Sequence, residues 1–314
     1  MKKGITKILS ACVFAFVVFL AAGTQSKAAV NMGVKQTGAG SSYVDLAWNA
    51  QLGAGHYHTQ FSQDGKNWID MEYSSSPSDS VYNLTQGASY YARVVAYNGS
   101  HYSGTHVMVG VSETAIVSTK PTEVTGLTQT AAGVNSVSMS WNASAGAASY
   151  VIYGYINYNW TQIGTSATNS ATITGVAATT STKFSVAAVK NVTGGTVTGD
   201  QCSGVEMKAI PIKVSRIAMQ YYWDSLKEAK YIWTDVNNAD GYQYEVKSAN
   251  GKKTYFRATS TSSYTYVKPF PRGIFVKARV RAYVTVGNKV YYGAWSPYLS
   301  LIHISEPTRP EPIS

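Results

Sequence analysis

Histidine is the residue type in this chain best suited to bind a metal ion, and its distribution is uneven. Four of the five histidines fall in one short stretch: His56, His58, His101 and His106. His56 and His58 flank Tyr57, so on an extended strand both project from the face opposite to Tyr57. Four imidazoles could hold Zn²⁺ or Cu²⁺ if the fold brings His101 and His106 to the same sheet. The alternative is surface histidine in a Tyr- and Asn-rich loop, and because a metal site also needs convergent geometry and outer partners, we expect no bound metal and no cofactor.

A second group of side chains could bind sugars. It comprises Tyr153, Tyr155, Tyr158 and Trp160. By strand alternation, Tyr153 and Tyr155 face away from Tyr150, which has the character of a core residue. Aromatic rings are amphipathic, and their faces suit the apolar side of a pyranose. The alternative is that these rings only pair across strands on an exposed sheet face.

Basic residues form a third candidate site. Lys277, Arg279 and Arg281 alternate with small or apolar residues, so all three should project from one face of a single strand. Residues 211–300 carry fourteen basic and five acidic side chains, a net charge of +9. Such a field attracts anionic polymers, which for a secreted protein means teichoic acids, acidic glycans or a membrane surface, and not nucleic acid. The alternative is a solvated basic face that keeps the domain soluble.

Catalytic patterns are missing from the sequence. Acid–base and nucleophilic catalysis need paired carboxylates, or a nucleophile with a base and an orienting acid. The chain has 16 Asp and Glu residues in 314, and it contains no nucleophile elbow, phosphate-binding loop or metalloprotease helix motif. We therefore expect a protein without enzymatic activity and assign no catalytic residue.

The elements that position these groups are set by a repeat. Trp48, Trp141 and Trp233 lie 93 and 92 residues apart, and each is followed nine residues later by a tyrosine, Tyr57, Tyr150 or Tyr242. A fixed period with fixed internal spacing indicates one structural unit copied three times. Short runs of alternating apolar residues separated by turn signals, such as Asp64-Gly65, predict half-buried strands and an all-β fold.

The first repeat resembles a fibronectin type III domain. The matching pattern is Leu84, Gly87, Tyr90, Arg93, Val94 and Ala96. The resemblance implies seven-stranded immunoglobulin-like sandwiches, a corner tyrosine at position 90 whose hydroxyl bonds back across its turn, and a binding or spacing role. Thr182 and Val276 stand at the corner position of the other repeats, where the pin should be missing. The implied domains are residues 30–118, 119–210 and 211–298.

Both ends of the chain differ from the repeats. Residues 1–28 have a basic head, an apolar run of about 16 residues and a small-x-small end, which together predict a secretory signal peptide and no membrane span in the mature chain. Residues 299–314 begin with a stretch that resembles the in-frame translation of an adapter used in sequencing libraries, so we expect them not to be native. Cys202 is the only cysteine after the signal, which leaves no internal disulfide.

These observations lead to two functional hypotheses. The first is an extracellular, non-catalytic array that spaces domains and binds glycans or polyanionic cell-surface polymers. The second is an accessory segment of a secreted carbohydrate-active enzyme whose catalytic domain lies beyond residue 298, a suggestion by analogy of fold.

Overall fold

The computed structural model describes residues 28–103, 106–270 and 275–301. The predicted signal peptide, apart from Ala28, and residues 302–314 of the predicted adapter-derived tail lie outside the described residues. Within the described part of the chain the ordered elements are β-strands and one short 3-10 turn. No helix there is long and apolar enough to cross a bilayer.

The first sandwich follows the residue alternation of the first repeat. Its elements are β1 (Lys35–Ala39), β2 (Val44–Ala47), β3 (His56–Ser62), β4 (Ile69–Ser74), β5 (Ser78–Val81), β6 (Ser89–Tyr97), η1 (His101–Ser103), β7 (Met108–Val111) and β8 (Ala115–Ser118). A three-stranded sheet in the order β1-β2-β5 packs on a sheet in the order β4-β3-β6-β7, and β8 pairs with β6 beyond β7. β7 and β8 therefore act as two halves of a seventh strand.

The second and third sandwiches repeat this arrangement. The second consists of β9 (Thr128–Gly133), β10 (Ser136–Ser140), β11 (Ser149–Ile156), β12 (Asn159–Ser166), β13 (Ser170–Thr174), β14 (Ser181–Val192), β15 (Gly195–Thr198) and β16 (Val205–Lys208). The third consists of β17 (Ile217–Trp223), β18 (Glu228–Trp233), β19 (Gly241–Ser248), β20 (Thr254–Ser260), β21 (Tyr264–Val267), β22 (Val276–Val286), β23 (Lys289–Tyr292) and β24 (Leu299–Leu301). Their sheet orders are β13-β10-β9 with β12-β11-β14-β15, and β17-β18-β21 with β20-β19-β22-β23.

The threefold repeat of tryptophan and tyrosine forms the centre of each core. Trp48, Trp141 and Trp233 contact their paired tyrosines at ring-centroid distances of 5.4, 5.3 and 5.4 Å. The hydroxyl of each tyrosine also accepts a hydrogen bond from the backbone N–H six residues earlier in the chain, at 3.0, 3.0 and 2.8 Å. The nine-residue spacing thus places one side chain where it fills the core and anchors the preceding loop.

The corner tyrosine has the contact that its position predicts. The Tyr90 hydroxyl accepts a hydrogen bond of 3.0 Å from the backbone N–H of Thr85. Thr182, the counterpart in the second sandwich, pairs through its backbone with Met207 on β16, and Val276 pairs with Leu301 on β24. Residues 299–301, predicted as the start of the adapter-derived tail, therefore form the last strand of the third sandwich.

One compact unit holds the third sandwich and all of the second except residues 192–197, which are grouped with the first sandwich in the other unit. Within the shared unit, the Tyr291 hydroxyl donates to the carbonyl oxygen of Gln129 at 3.0 Å. Lys208 Nζ lies 3.1 Å from the carboxylate of Asp240, and the Thr179 hydroxyl donates to the Asn237 carbonyl oxygen at 2.6 Å. These bonds restrain the orientation of the two sandwiches beyond what the short linker does.

Candidate functional site

The histidine cluster of the first sandwich is assembled by a close approach of two loops. A Cβ atom at Gly55 would lie 2.1 Å from the carbonyl oxygen of Gly99, so only glycine permits this contact. This approach also places the carbonyl oxygen of Gly99 3.0 Å from Nδ1 of His56, the residue that follows Gly55. His56 faces away from the core as predicted, but the covering loop leaves it only 2% exposed.

Three of the four predicted histidines converge. One ring nitrogen from each of His56, His58 and His101 lies within 4.8 Å of the other two, and His58 Nε2 is 3.2 Å from His101 Nδ1. His106 is exposed on the surface, with its ring centroid 5.2 Å from that of His56. The strand pair His56 and His58 and the loop pair His101 and His106 therefore meet on one face of the sheet.

Neighbouring groups shift the pKa of His58 and pack against two of the histidine rings. Burial lowers the pKa of His58, the Asp70 carboxylate opposes this effect, and the imidazoles of His101, His56 and His106 lower the pKa further. Tyr73 stacks on His101 with ring centroids 4.1 Å apart, and Tyr97 stacks on His56 at 5.3 Å. The sequence showed the histidines, but not these two tyrosines, which hold the rings in place.

The aromatic group of the second sandwich occupies the hairpin between β11 and β12. Tyr155 and Trp160 are direct cross-strand partners, and their rings meet edge to face at 5.3 Å. Both remain about two-fifths exposed, at 41% and 38%. Tyr153 lies two residues before Tyr155 on the same face and is partly buried. Trp160 packs against Gly204, where a Cβ atom would lie 2.8 Å from the indole ring.

The hairpin tip has an unusual backbone. Asn157 and Tyr158 form a two-residue turn with φ angles of 50° and 65°. Such turns require positive φ at both positions, and the second position favours glycine. Tyr158 instead has a bulky side chain there, and that side chain is 90% exposed. The tip therefore presents an aromatic ring to solvent at a position where the backbone disfavours it.

The predicted basic residues alternate on β22 as expected, but their charged groups are partly covered. Arg281 lies over the rings of Tyr292 and Trp295 at 3.9 and 4.5 Å. Arg279 lies over Trp295 and Tyr298 at 4.4 and 4.7 Å, and Lys277 lies over Tyr298 at 4.6 Å. The three cations and the three aromatic rings thus alternate along this face. The rings come from residues that follow β22 in the chain. The only sequence signal for this stacking was the recurrence of aromatic residues at positions 292, 295 and 298.

A buried carboxylate neutralises part of this basic face. Glu245 on β19 is fully buried and lies 2.5 Å from Arg257, 2.6 Å from Arg279 and 3.3 Å from Lys247. Burial raises its pKa, but the hydrogen bonds from these three cations outweigh burial and lower the pKa to about 2. Arg281 instead donates to the side-chain oxygen of Gln243, at 2.6 and 2.9 Å. Sequence reasoning missed Glu245 because its two arginine partners come from the neighbouring strands β20 and β22.

These features define the chain at the level of fold. It is an all-β protein with three tandem immunoglobulin-like sandwiches, each made of a three-stranded sheet packed on a larger sheet. Each sandwich has its own hydrophobic core. The three candidate sites lie one on each sandwich, and all three lie on the larger sheet.

Comparison with known proteins shows a partial likeness to a bacterial chitinase. No family model matches the chain. Over 162 residues the chain is 33% identical to chitinase A1 of Niallia circulans, a match that covers 49% of this chain and 22% of that protein. The chain thus spans about a fifth of the curated relative it matches. Among solved structures it is similar to the chicken CNTN1 FN1-FN3 domains, with 15% identity, a TM-score of 0.35, and coverage of 87% of this chain and 98% of that one.

Proposed function

We propose that this chain is a non-catalytic, extracellular array of three fibronectin type III domains that binds a glycan through the β11–β12 hairpin of its second sandwich. The domains are those of residues 30–118, 119–210 and 211–298, exported by the signal peptide of residues 1–28. In this proposal the first and third sandwiches act as spacers for the hairpin.

The observation that carries the proposal is the backbone of Tyr158. A left-handed conformation costs a residue with a side chain roughly 1–2 kcal/mol, and glycine would avoid that cost. The ring is 90% exposed, so it returns little packing energy within the chain. Strain held at an exposed position is typical of functional sites. Contact between this ring and an external ligand explains why the position holds tyrosine and not glycine.

The neighbouring rings extend the same surface. Tyr155 and Trp160 are packed against each other and, through Trp160, against Gly204, so their orientation is set before any ligand binds. Preorganised aromatic rings bind with little loss of side-chain entropy. Exposed rings of this kind suit the apolar faces of neutral sugars, which need no charged partner. The likeness to a chitinase supports chitin as the first glycan to test.

Binding to insoluble polysaccharide tests this proposal. The chain should be retained by chitin, and Tyr158→Gly and Trp160→Ala should each weaken retention about tenfold, equivalent to about 1.4 kcal/mol. Tyr82→Ala is a matched control, because Tyr82 is an exposed tyrosine of the first sandwich that packs on Tyr43. Retention by cellulose instead of chitin would overturn the choice of polymer. Equal retention of both variants and wild type would overturn the site.

A second candidate function is supported by the charge of the third sandwich. The face formed by β19, β20 and β22 has five cations around Glu245, which leaves a net charge of +4: Lys247, Arg257, Lys277, Arg279 and Arg281. We propose weak binding of an anionic cell-wall polymer here. Retention by purified teichoic acid should fall steeply with salt and should decrease in Lys277→Ala. Salt-independent retention would overturn this assignment.

The attachment of the array is also open to test. We propose that it serves beside the catalytic domain of a secreted carbohydrate-active enzyme, which the partial likeness to a chitinase supports. Sequencing the complete gene from its source tests this. A reading frame that enters a domain with two catalytic carboxylates is expected. A frame that enters a wall-sorting signal or further repeats would overturn it.

A further inference from the structure

We propose that His56, His58 and His101 of the first sandwich form a binding site for Zn²⁺, with His106 as the fourth ligand, which clamps the β6–β7 loop to strand β3. This site is separate from the glycan and polyanion surfaces. It uses residues from one strand, from η1 and from the segment before β7, which are far apart in the sequence.

The distances suit a tetrahedral ion. Zinc binds histidine nitrogen at about 2.0–2.1 Å, which places two tetrahedral ligand atoms about 3.3 Å apart. His58 Nε2 and His101 Nδ1 are already 3.2 Å apart. One ring nitrogen of His56 also lies within 4.8 Å of a ring nitrogen of each of these two histidines, so side-chain rotations complete the set. One of the two rings in the 3.2 Å contact carries a proton between them, and that proton moves to the ring's other nitrogen when the metal binds.

His56 provides the clearest sign of a missing ligand. Its Nδ1 lies 3.0 Å from the carbonyl oxygen of Gly99. A carbonyl only accepts hydrogen bonds, so Nδ1 carries the proton and Nε2 holds a lone pair. Nε2 is buried and has no hydrogen-bond partner among the described residues. Buried polar atoms are normally satisfied, and a metal ion in the cluster would satisfy this one. A histidine that ligates with one nitrogen while the other donates to a carbonyl is the usual arrangement at metal sites.

The surroundings are also those of a metal site. Tyr97 and Tyr73 stack on His56 and His101 and restrict the orientation of both rings. The Asp70 carboxylate, close enough to influence His58, adds negative potential. All candidate ligands are imidazoles, which suit Zn²⁺, Cu²⁺ and Ni²⁺ better than Ca²⁺ or Mg²⁺. Four nitrogen ligands close the coordination sphere, so the role of the ion is structural.

Titration of the full chain with zinc chloride, without an affinity tag that contains histidine, tests the proposal. Isothermal calorimetry should show one Zn²⁺ per chain, with no response to Mg²⁺. His58→Asn and His101→Asn should each lower the affinity at least about tenfold. His303→Asn is the matched control, since it changes a histidine outside the described residues and should leave binding intact. Absence of a saturable response in the wild type, or binding by the two cluster variants as tight as that of the wild type, would overturn the site.

Two further measurements use the wild-type chain, so they test the site even if a variant fails to fold. X-ray absorption of the zinc-loaded wild type should show nitrogen ligands at about 2.0 Å and no sulfur; oxygen-only ligation would overturn the site. Zinc at a hundredfold excess over its Kd should raise the Tm of the first sandwich by roughly 10 °C and leave the others unchanged. An unchanged Tm would overturn the clamp, and unchanged affinity in His106→Asn would overturn the fourth ligand.

Discussion

Replacing Glu245 with glutamine tests how the basic face of the third sandwich is stabilised. The pKa of Glu245 is about 2 in the folded chain, whereas a glutamate in an unfolded chain titrates near about 4.3. Each pKa unit corresponds to about 1.4 kcal/mol, so the ionised carboxylate contributes about 3 kcal/mol to the free energy of unfolding at neutral pH. Because the folded-state pKa is the lower one, this contribution is present above about pH 5 and is lost as the pH falls toward 2.

The measurement must separate the sandwiches, because a chain of several domains does not unfold in two states. Pulse-labelling hydrogen exchange in urea, read by mass spectrometry, gives a midpoint for the peptides of each sandwich. At pH 6 the Glu245→Gln midpoint of the third sandwich should fall by about 1.5 M, taking a slope of about 2 kcal/mol/M. The difference between variant and wild type should shrink as the pH is lowered to 3, because Glu245 of the unfolded chain then takes up a proton while the folded carboxylate stays largely ionised. Glu206→Gln is the control, because Glu206 is exposed on β16.

Two results would refute the reasoning. One is a variant that matches the wild type at pH 6, which would mean that Glu245 does not offset the repulsion among Arg257, Arg279 and Lys247. The other is a variant whose deficit is the same at pH 3 and pH 6. In that case the loss would come from packing or hydrogen-bond geometry and not from the charge.

Two further predictions concern single side chains. Tyr90→Phe removes the acceptor for the Thr85 N–H and should destabilise the first sandwich by about 1 kcal/mol; an unchanged urea midpoint for that sandwich would contradict it. Tyr158→Gly relieves a φ of 65° and should stabilise the second sandwich by about 1 kcal/mol while it weakens chitin retention. A destabilised variant would show that the Tyr158 ring packs within the chain.

Several features of the fold could be predicted from local patterns. The spacing of Trp48 and Tyr57, repeated at Trp141 and Trp233, predicted three copies of one β-rich unit, and the structure confirms the all-β sandwiches. Strand alternation correctly placed Lys277, Arg279 and Arg281 on one face. Such predictions succeed because the side-chain direction in a strand has a period of two and depends on the neighbours in sequence alone.

The candidate sites depended on contacts that alternation does not describe. The sequence placed His56 on an outward face, but only the packing of the β6–β7 loop buries it and brings His101 to His58. Likewise, Trp295 and Tyr298 reach Arg279 because the segment between β23 and β24 runs back beside β22. The strain at Tyr158 follows from a two-residue turn whose register is set by the pairing of β11 with β12.

The sequence by itself therefore determined the number of repeats, the strand character and which side chains share a face, because these follow from spacing along one strand. The tertiary structure alone decided which of those side chains meet, which charges are neutralised and which polar atoms are left without a partner. Those properties arise between strands and loops that are distant in sequence, where loop closure and sheet packing set the distances.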